Sequence, residues 1–315
     1  SMMNFFKNMP KIFSLALAMI LLASCQNSKT TNTEKPQNSE NIVEQNPQAK
    51  WSVGEFSYSN LNDSESQEFV KKALLDAGIS EKSIEIFLKK VREYNAAVGT
   101  DLLVKNGFQS VKNISEIHYD SAKISENWRK NFPIFPGNNC RLTAFDFFGD
   151  FIRVKNTENP NDSALFTDLD SISHQTSKTL SDAEIQKFKT FYSVIQTTDS
   201  SNPDEHAAKI LEFWKEKGIE FANNENLKAS LISVFFHDVF SPTESELLLG
   251  HTGIAVPLAN DEYLFIEKLS FEEPYQALKF SNKNDIKNYL MAKYDTEWNQ
   301  KNSPPIIFEN NTYWK

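Results

Sequence analysis

The hydrophobic positions of this chain fall into three regimes. In the first, Lys7 and Lys11 precede a 12-residue stretch from Ile12 to Ala23 that is apolar except for Ser14 and closes on Leu22-Ala23-Ser24-Cys25. A basic flank, a short apolar core and small residues at a cleavage point make up a secretory signal, and the cysteine takes a diacylglyceryl group. The core is too short for a lasting transmembrane helix, which takes about 20 residues. Residues 1–24 are therefore expected to be a signal peptide, with Cys25 as the lipidation site. In the second regime, residues 25–50, Ile42, Val43 and Ala49 are the only apolar side chains after the cysteine, too few to offset chain entropy. This segment is expected to be a disordered tether, spanning roughly 25 to 30 Å as a flexible chain.

The third regime, residues 51–315, has the periodicities of a folded body. Trp51 to Leu61 reads as extended. Asn62-Asp63-Ser64 offers capping oxygens to a helix that Gly78 ends, and Ser80 opens a second, with Ile84, Phe87, Leu88, Val91 and Tyr94 on one face up to Gly99. A short helix fits Ser121 to Lys130, broken by Phe132-Pro133-Ile134-Phe135-Pro136-Gly137. Next, Asn138-Asn139-Cys140-Arg141-Leu142-Thr143-Ala144-Phe145-Asp146-Phe147-Phe148 reads as a buried helix starting at the asparagines, with Gly149 as an interruption.

Residues 156–180 are polar and read as a long surface loop. Helices are predicted from Ser181 to Gln196 and from Asp204 to Lys217, the latter with Ile210, Leu211 and Trp214 on one side. Together these form an expected helical insertion at about 156–225. Short β-branched and aromatic runs follow at Ser230–Val239, His251–Pro257, Glu262–Leu269, Tyr275–Phe280 and Pro305–Phe308, interrupted by a helix from Asp285 to Tyr294. Helices first, then a Cys-bearing helix, then antiparallel strands predict one α+β domain, its helices packed on a C-terminal sheet.

Composition narrows the function. The formal charge of −9, without a sustained basic stripe, argues against a nucleic-acid partner. No His, Cys or carboxylate group has zinc-site spacing, and nine glycines form no phosphate loop, so no metal or cofactor is called for. The sequence carries no signal for an oligomeric state. With Cys25 committed to lipid, the body holds one thiol, Cys140, and no internal disulfide.

A thiol at a helix start is favoured as thiolate by the helix dipole and unpaired amides, and Asn139 is a preferred N-cap type. Of five histidines, His251 is the candidate base, since it opens the run His251-Thr252-Gly253-Ile254 after Gly250. If the next turn is centred on Ala259, Glu267 lies directly opposite His251 and can orient its ring, as the third member of a triad does. Asn138 and Asn139 are oxyanion candidates, in competition with capping. His237 and Asp238, as neighbours on one strand, face opposite sides and read as structural; His118, His174 and His206 lie in polar stretches and read as surface residues. The bland reading of Cys140 is a small buried hydrophobe on an apolar helix.

The segments Asn138-Asn139-Cys140-Arg141, His251-Thr252-Gly253-Ile254, Glu267 to Ala277 and Tyr294 to Gln300 resemble a bacterial lipoprotein family known as domain of unknown function 4300, over about residues 55 to 310. More distantly, a Cys at a helix start, His-x-Gly-Ile on a strand and a polar residue on the next strand resemble NlpC-type and papain-like cysteine peptidases. That resemblance implies a papain-like or NlpC-like fold in which Cys140 is nucleophile, His251 base and Glu267 orienting group, acting on a cell-wall peptide or related amide. The chain departs from the NlpC pattern Asp-Cys-Ser-Gly, reading Asn139-Cys140-Arg141-Leu142. The expectation is a cysteine hydrolase of the cell envelope, extracytoplasmic and held to the membrane through Cys25. The rival is a lipoprotein without enzymatic activity that binds a ligand or partner, and an adhesin-like surface protein is a third reading with no positive motif.

Overall fold

The computed structural model of the protein describes residues 50–177, 180–296 and 300–315. The expected signal peptide, the lipidation site at Cys25 and the tether up to residue 49 lie outside the described residues. Among those described, no helix is long and apolar enough to cross a membrane.

Strand β1 (Phe56–Ser59) leads into a helical hairpin of α1 (Ser64–Asp76) and α2 (Glu81–Val98). Local chemistry sets its limits: the side chains of Asp63 and Ser80 accept from the first-turn amides of Ser66 and Ser83, and Gly99, at φ +91°, closes α2. After β2 (Gln109–Val111) comes α3 (Ser121–Asn131), which ends before the two prolines. Helix α4 (Cys140–Phe148) begins where the sequence placed it, with Asn139 Oδ1 accepting from the Leu142 amide at 2.9 Å, and Asp146 is the one residue in it that is not buried. A single 3-10 turn at Gly149–Phe151 passes the chain to β3 (Ile152–Val154).

The polar stretch expected as a loop at 156–180 contains α5 (Phe166–His174). This helix turns Asp168 and Ser171 inward, where they meet Arg141 and the Gly137 carbonyl, so the apolar periodicity that would have announced it is missing. The helix expected from Ser181 to Gln196 stops earlier: α6 (Asp182–Phe191) gives way to β4 (Ile195–Thr197), a β-branched segment that pairs with the main sheet. Helix α7 (Pro203–Lys217) buries Ile210 and Trp214, whereas Leu211, about 100° further round, is exposed. Strand β5 (Ile219–Phe221) pairs with β3. The segment expected as an insertion thus supplies both a helix of the site and a strand of the sheet.

The remaining elements are β6 (Ser230–Ser241), β7 (Glu244–Pro257), β8 (Tyr263–Lys268), β9 (Tyr275–Phe280), α8 (Asn284–Tyr294), β10 (Ile306–Glu309) and β11 (Thr312–Tyr313). Strand β7 starts seven residues before His251, because the polar positions Glu244 to Glu246 still pair with β6 at the exposed end of the hairpin. The nine-stranded antiparallel sheet runs β11-β10-β6-β7-β8-β9-β1-β2, with β4 on β7. One face packs Leu249, Ile254, Val256 and Leu264 against the larger helical layer; the other packs Val234, Ala255, Phe265 and Leu278 under α8, through Ile286, Tyr289 and Leu290. Helices, sheet and a single covering helix make three layers, and the fold is α+β.

Candidate active site

The site is built where two neighbouring strands part. β7 and β8 pair only from Ile254 with Ile266 to Pro257 with Tyr263. Towards the other end, His251 stays opposite Val234 of β6, while Glu267 and Lys268 pair with Gln276 and Tyr275 of β9. The first turn of α4 bridges the opening. Lys268 Nζ donates to the Asn138 carbonyl at 2.9 Å, the Cys140 thiol donates to the Gly250 carbonyl at 3.7 Å, and Arg141 Nη1 donates to the Leu249 carbonyl at 3.2 Å.

Gly250 is the extra residue of a β-bulge, since Leu249 faces Phe235 and His251 faces Val234. A Cβ at this position would sit 2.1 Å from the Phe236 ring, so the close approach requires glycine.

His251 Nε2 donates to Glu267 Oε1 at 2.7 Å, because the carboxylate can only accept. The other nitrogen, Nδ1, has no well-aligned hydrogen-bond partner, and the Cys140 thiol lies close enough to hydrogen-bond with the ring. The three predicted residues are therefore brought together. The predicted register is corrected in one respect. Asn260 and Asp261 both adopt positive φ, 60° and 61°, which centres the turn on residue 260 rather than Ala259. A shift of one at the turn moves the partner by two, so Glu267 is diagonal to His251, not directly opposite, and keeps its face.

Glu267 Oε2 accepts from the Tyr289 hydroxyl at 2.6 Å and from Gln276 Nε2 at 3.2 Å. Burial on its own raises the Glu267 pKa, but the charge of Lys293, the hydrogen bond and charge of His251, and the Tyr289 hydroxyl outweigh it and bring it from an ordinary 4.5 to about 2. Burial likewise pulls the His251 pKa down, and its contacts with Cys140 and Glu267 more than reverse this, holding it above the usual histidine value. Glu267 is thus held as a carboxylate on the His251 ring, beside the Cys140 thiol. Cys140 and His251 are 0% exposed and Glu267 is 1% exposed, with the Tyr294 ring 5.2 Å from that of His251. The site is closed to solvent in this conformation.

Arg141 and Asp168 form a buried ion pair with two bonds, at 2.8 and 2.7 Å, and Asn139 Nδ2 donates to the same carboxylate at 2.9 Å. Asn139 thus spends its oxygen on the helix cap and its nitrogen on Asp168. Asn138 Oδ1 accepts from Gln175 Nε2 at 3.0 Å, and this residue lines a cavity beside α2. Sequence reasoning missed Asp168, Gln276 and Tyr289. Gln276 was within reach, since a hairpin turn over Ser270–Glu273 sets it opposite Glu267; Asp168 carried no periodic signal.

The other histidines divide. His237 is structural: Nδ1 accepts from the Ser303 amide at 2.9 Å, and Nε2 donates to the Thr198 carbonyl at 2.8 Å. His206, expected at the surface, is instead fully buried, its ring centroid 4.0 Å from that of His237 and its nitrogens bonded to Thr197 and Ser200. His118 and His174 are exposed.

Fold and site together define an α+β protein with a buried Cys–His–Glu cluster at the start of a helix. Residues 57–314 match the family described as a domain of unknown function, DUF4300, and the chain belongs to that family. No curated protein and no solved structure matches it.

Two outcomes follow from the charges. Asp168→Ala leaves a guanidinium buried without its partner and is expected to cost about 3–5 kcal/mol in urea denaturation; a loss below 1 kcal/mol would mean that the pair is not buried in solution. Since the folded-state pKa of Glu267 lies below its ordinary value, its contribution to stability is complete above about pH 4.5 and disappears as pH falls toward 2. Across that window the parent protein should lose stability more steeply than Glu267→Gln; parallel slopes would mean that Glu267 is not held as a buried carboxylate on His251.

Proposed function

We propose that this chain is an envelope lipoprotein with a papain-like cysteine hydrolase site, acting on an amide such as those of cell-wall peptides. The observation that carries the reading is the convergence of Cys140, His251 and Glu267, from a helix start and two different strands, on one cluster in which His251 and Glu267 are hydrogen-bonded and the thiol lies beside the ring. A packing role for the thiol would not require an imidazole beside it, nor a carboxylate aligned on the far nitrogen by Tyr289 and Gln276.

In this mechanism the Cys140 sulfur, its proton held by His251, attacks the amide carbonyl carbon. The carbon–nitrogen bond breaks as His251 returns the proton to the leaving amine. Water then cleaves the thioester, releasing the carboxylic acid and restoring the thiol. Glu267 keeps the ring oriented throughout. Both oxyanion candidates are engaged in this conformation, Asn139 through its helix cap and Asp168, and Asn138 through Gln175 and Tyr275, so either must exchange a partner to donate to the oxyanion.

Complete burial of the sulfur favours a second reading, a lipoprotein without enzymatic activity in which Cys140 is a core residue. Alkylation with iodoacetamide near neutral pH separates the two. The hydrolase reading expects Cys140 to react faster than free cysteine, with the excess lost in His251→Ala. Slow and equal alkylation of both proteins would leave the second reading. The anchor is tested separately: palmitate fed to cells should label the exported protein, and Cys25→Ala should abolish that label and move the protein from the membrane to the soluble fraction.

A further inference from the structure

The cavity that Asn138 lines, about 280 Å³ in volume, has a chemical character at odds with the rest of the chain. Its wall on α2 is made by Lys82, Ile86, Lys89 and Lys90, positions that share one helix face, and the segment Gln175 to Ser177 after α5 closes the opposite side. Two of its charged residues are already engaged: Lys90 pairs with Asp146, and Glu93 accepts from the Thr176 hydroxyl at 2.9 Å. Lys82 and Lys89 form no ion pair with any acid among the described residues. A chain with a formal charge of −9 thus presents two ammonium groups at the mouth of a recess whose inner end, Asn138, is two residues from the thiol. Neither this cavity nor two others, beside the β7–β8 turn and against α7 and β5, is lined by Cys140, His251 or Glu267; of the three, this one reaches the segment next to the thiol, through Asn138.

Resting on the hydrolase reading, we infer that this cavity is the substrate's approach to Cys140 and that it selects substrates with an anionic group, such as a carboxylate, near the amide that is cut. Lys82 and Lys89 hold the anion at the rim, while Ile86 and Phe135 line the space between them and Asn138 with apolar surface. The hydrogen bond from Gln175 to the Asn138 side chain joins two residues of the cavity wall at its inner end. Breaking it widens the passage.

The test compares two alkylating agents of nearly equal size, anionic iodoacetate and neutral iodoacetamide. Each forms a carbon–sulfur bond with the Cys140 thiolate as iodide leaves. The ratio of the iodoacetate rate to the iodoacetamide rate should exceed that of free cysteine. In the double variant Lys82→Glu, Lys89→Glu the ratio should fall by about tenfold with the iodoacetamide rate unchanged, and added salt should shrink the difference. Both side chains are exposed, so the substitutions leave the core intact. Gln175→Ala should speed both reagents alike. A ratio equal to that of free cysteine and indifferent to the lysine changes overturns this inference while leaving the hydrolase reading in place, provided that iodoacetamide still reacts in a His251-dependent way. Absence of reaction with either reagent overturns both.

Discussion

A guanidinium and a carboxylate taken out of water must be matched bond for bond, because the desolvation of each is offset only by close, well-directed contacts. Arg141 and Asp168 meet that condition, and what they join is far apart in the chain: the first turn of α4, the helix α5, and through the Leu249 carbonyl the strand β7. Asn139 adds its amide to the same carboxylate. Cys140 sits between these two anchored residues, so its sulfur has little freedom in where it points. The position of the thiol relative to β7 is inherited from this ion pair, and the existence of α5 in an otherwise polar segment is explained by it.

The opposite face is organised by α8. Its Tyr289 hydroxyl holds Glu267, and Tyr294 packs over the ring of His251. One helix therefore both orients the carboxylate and covers the imidazole. Swinging α8 aside to admit a ligand would release Glu267 and expose Ile286 and Leu290, which are fully buried. Entry beside Asn138 disturbs neither, and in a dry site the His251–Glu267 bond keeps the strength that a low dielectric lends it.

How much of this could be read in advance depended on where each signal was stored. Caps and stops are local, and Asp63, Ser80 and Asn139 announced their helices correctly. The thiol was legible because it lies at a helix start, the imidazole because it opens the apolar run that follows Gly250, and the carboxylate because it follows from hairpin arithmetic. That arithmetic tolerated an error of one residue at Asn260, since moving the turn centre by one whole residue moves the partner by two and preserves the face. Asp168 and Ser171 were not legible. Their burial is specified by Arg141 and the Gly137 carbonyl, partners more than 25 residues earlier in the chain, and a helix whose inward face is polar looks like a loop to any count of apolar positions. His206 was misplaced for the same reason: its surroundings in sequence are polar, and its surroundings in space are His237, the Thr197 hydroxyl and the Ser200 carbonyl.

Gly250 adds a residue to β7 that the ladder does not use. On one side Leu249 meets Phe235, on the other His251 meets Val234, and without the glycine these partners would follow one another in an uninterrupted sequence. Pairing alone does not require it. With it the backbone presents a carbonyl and a bend, and the group that meets that carbonyl is the sulfur of Cys140. An irregularity in the longest described strand thus records a demand made from outside the sheet.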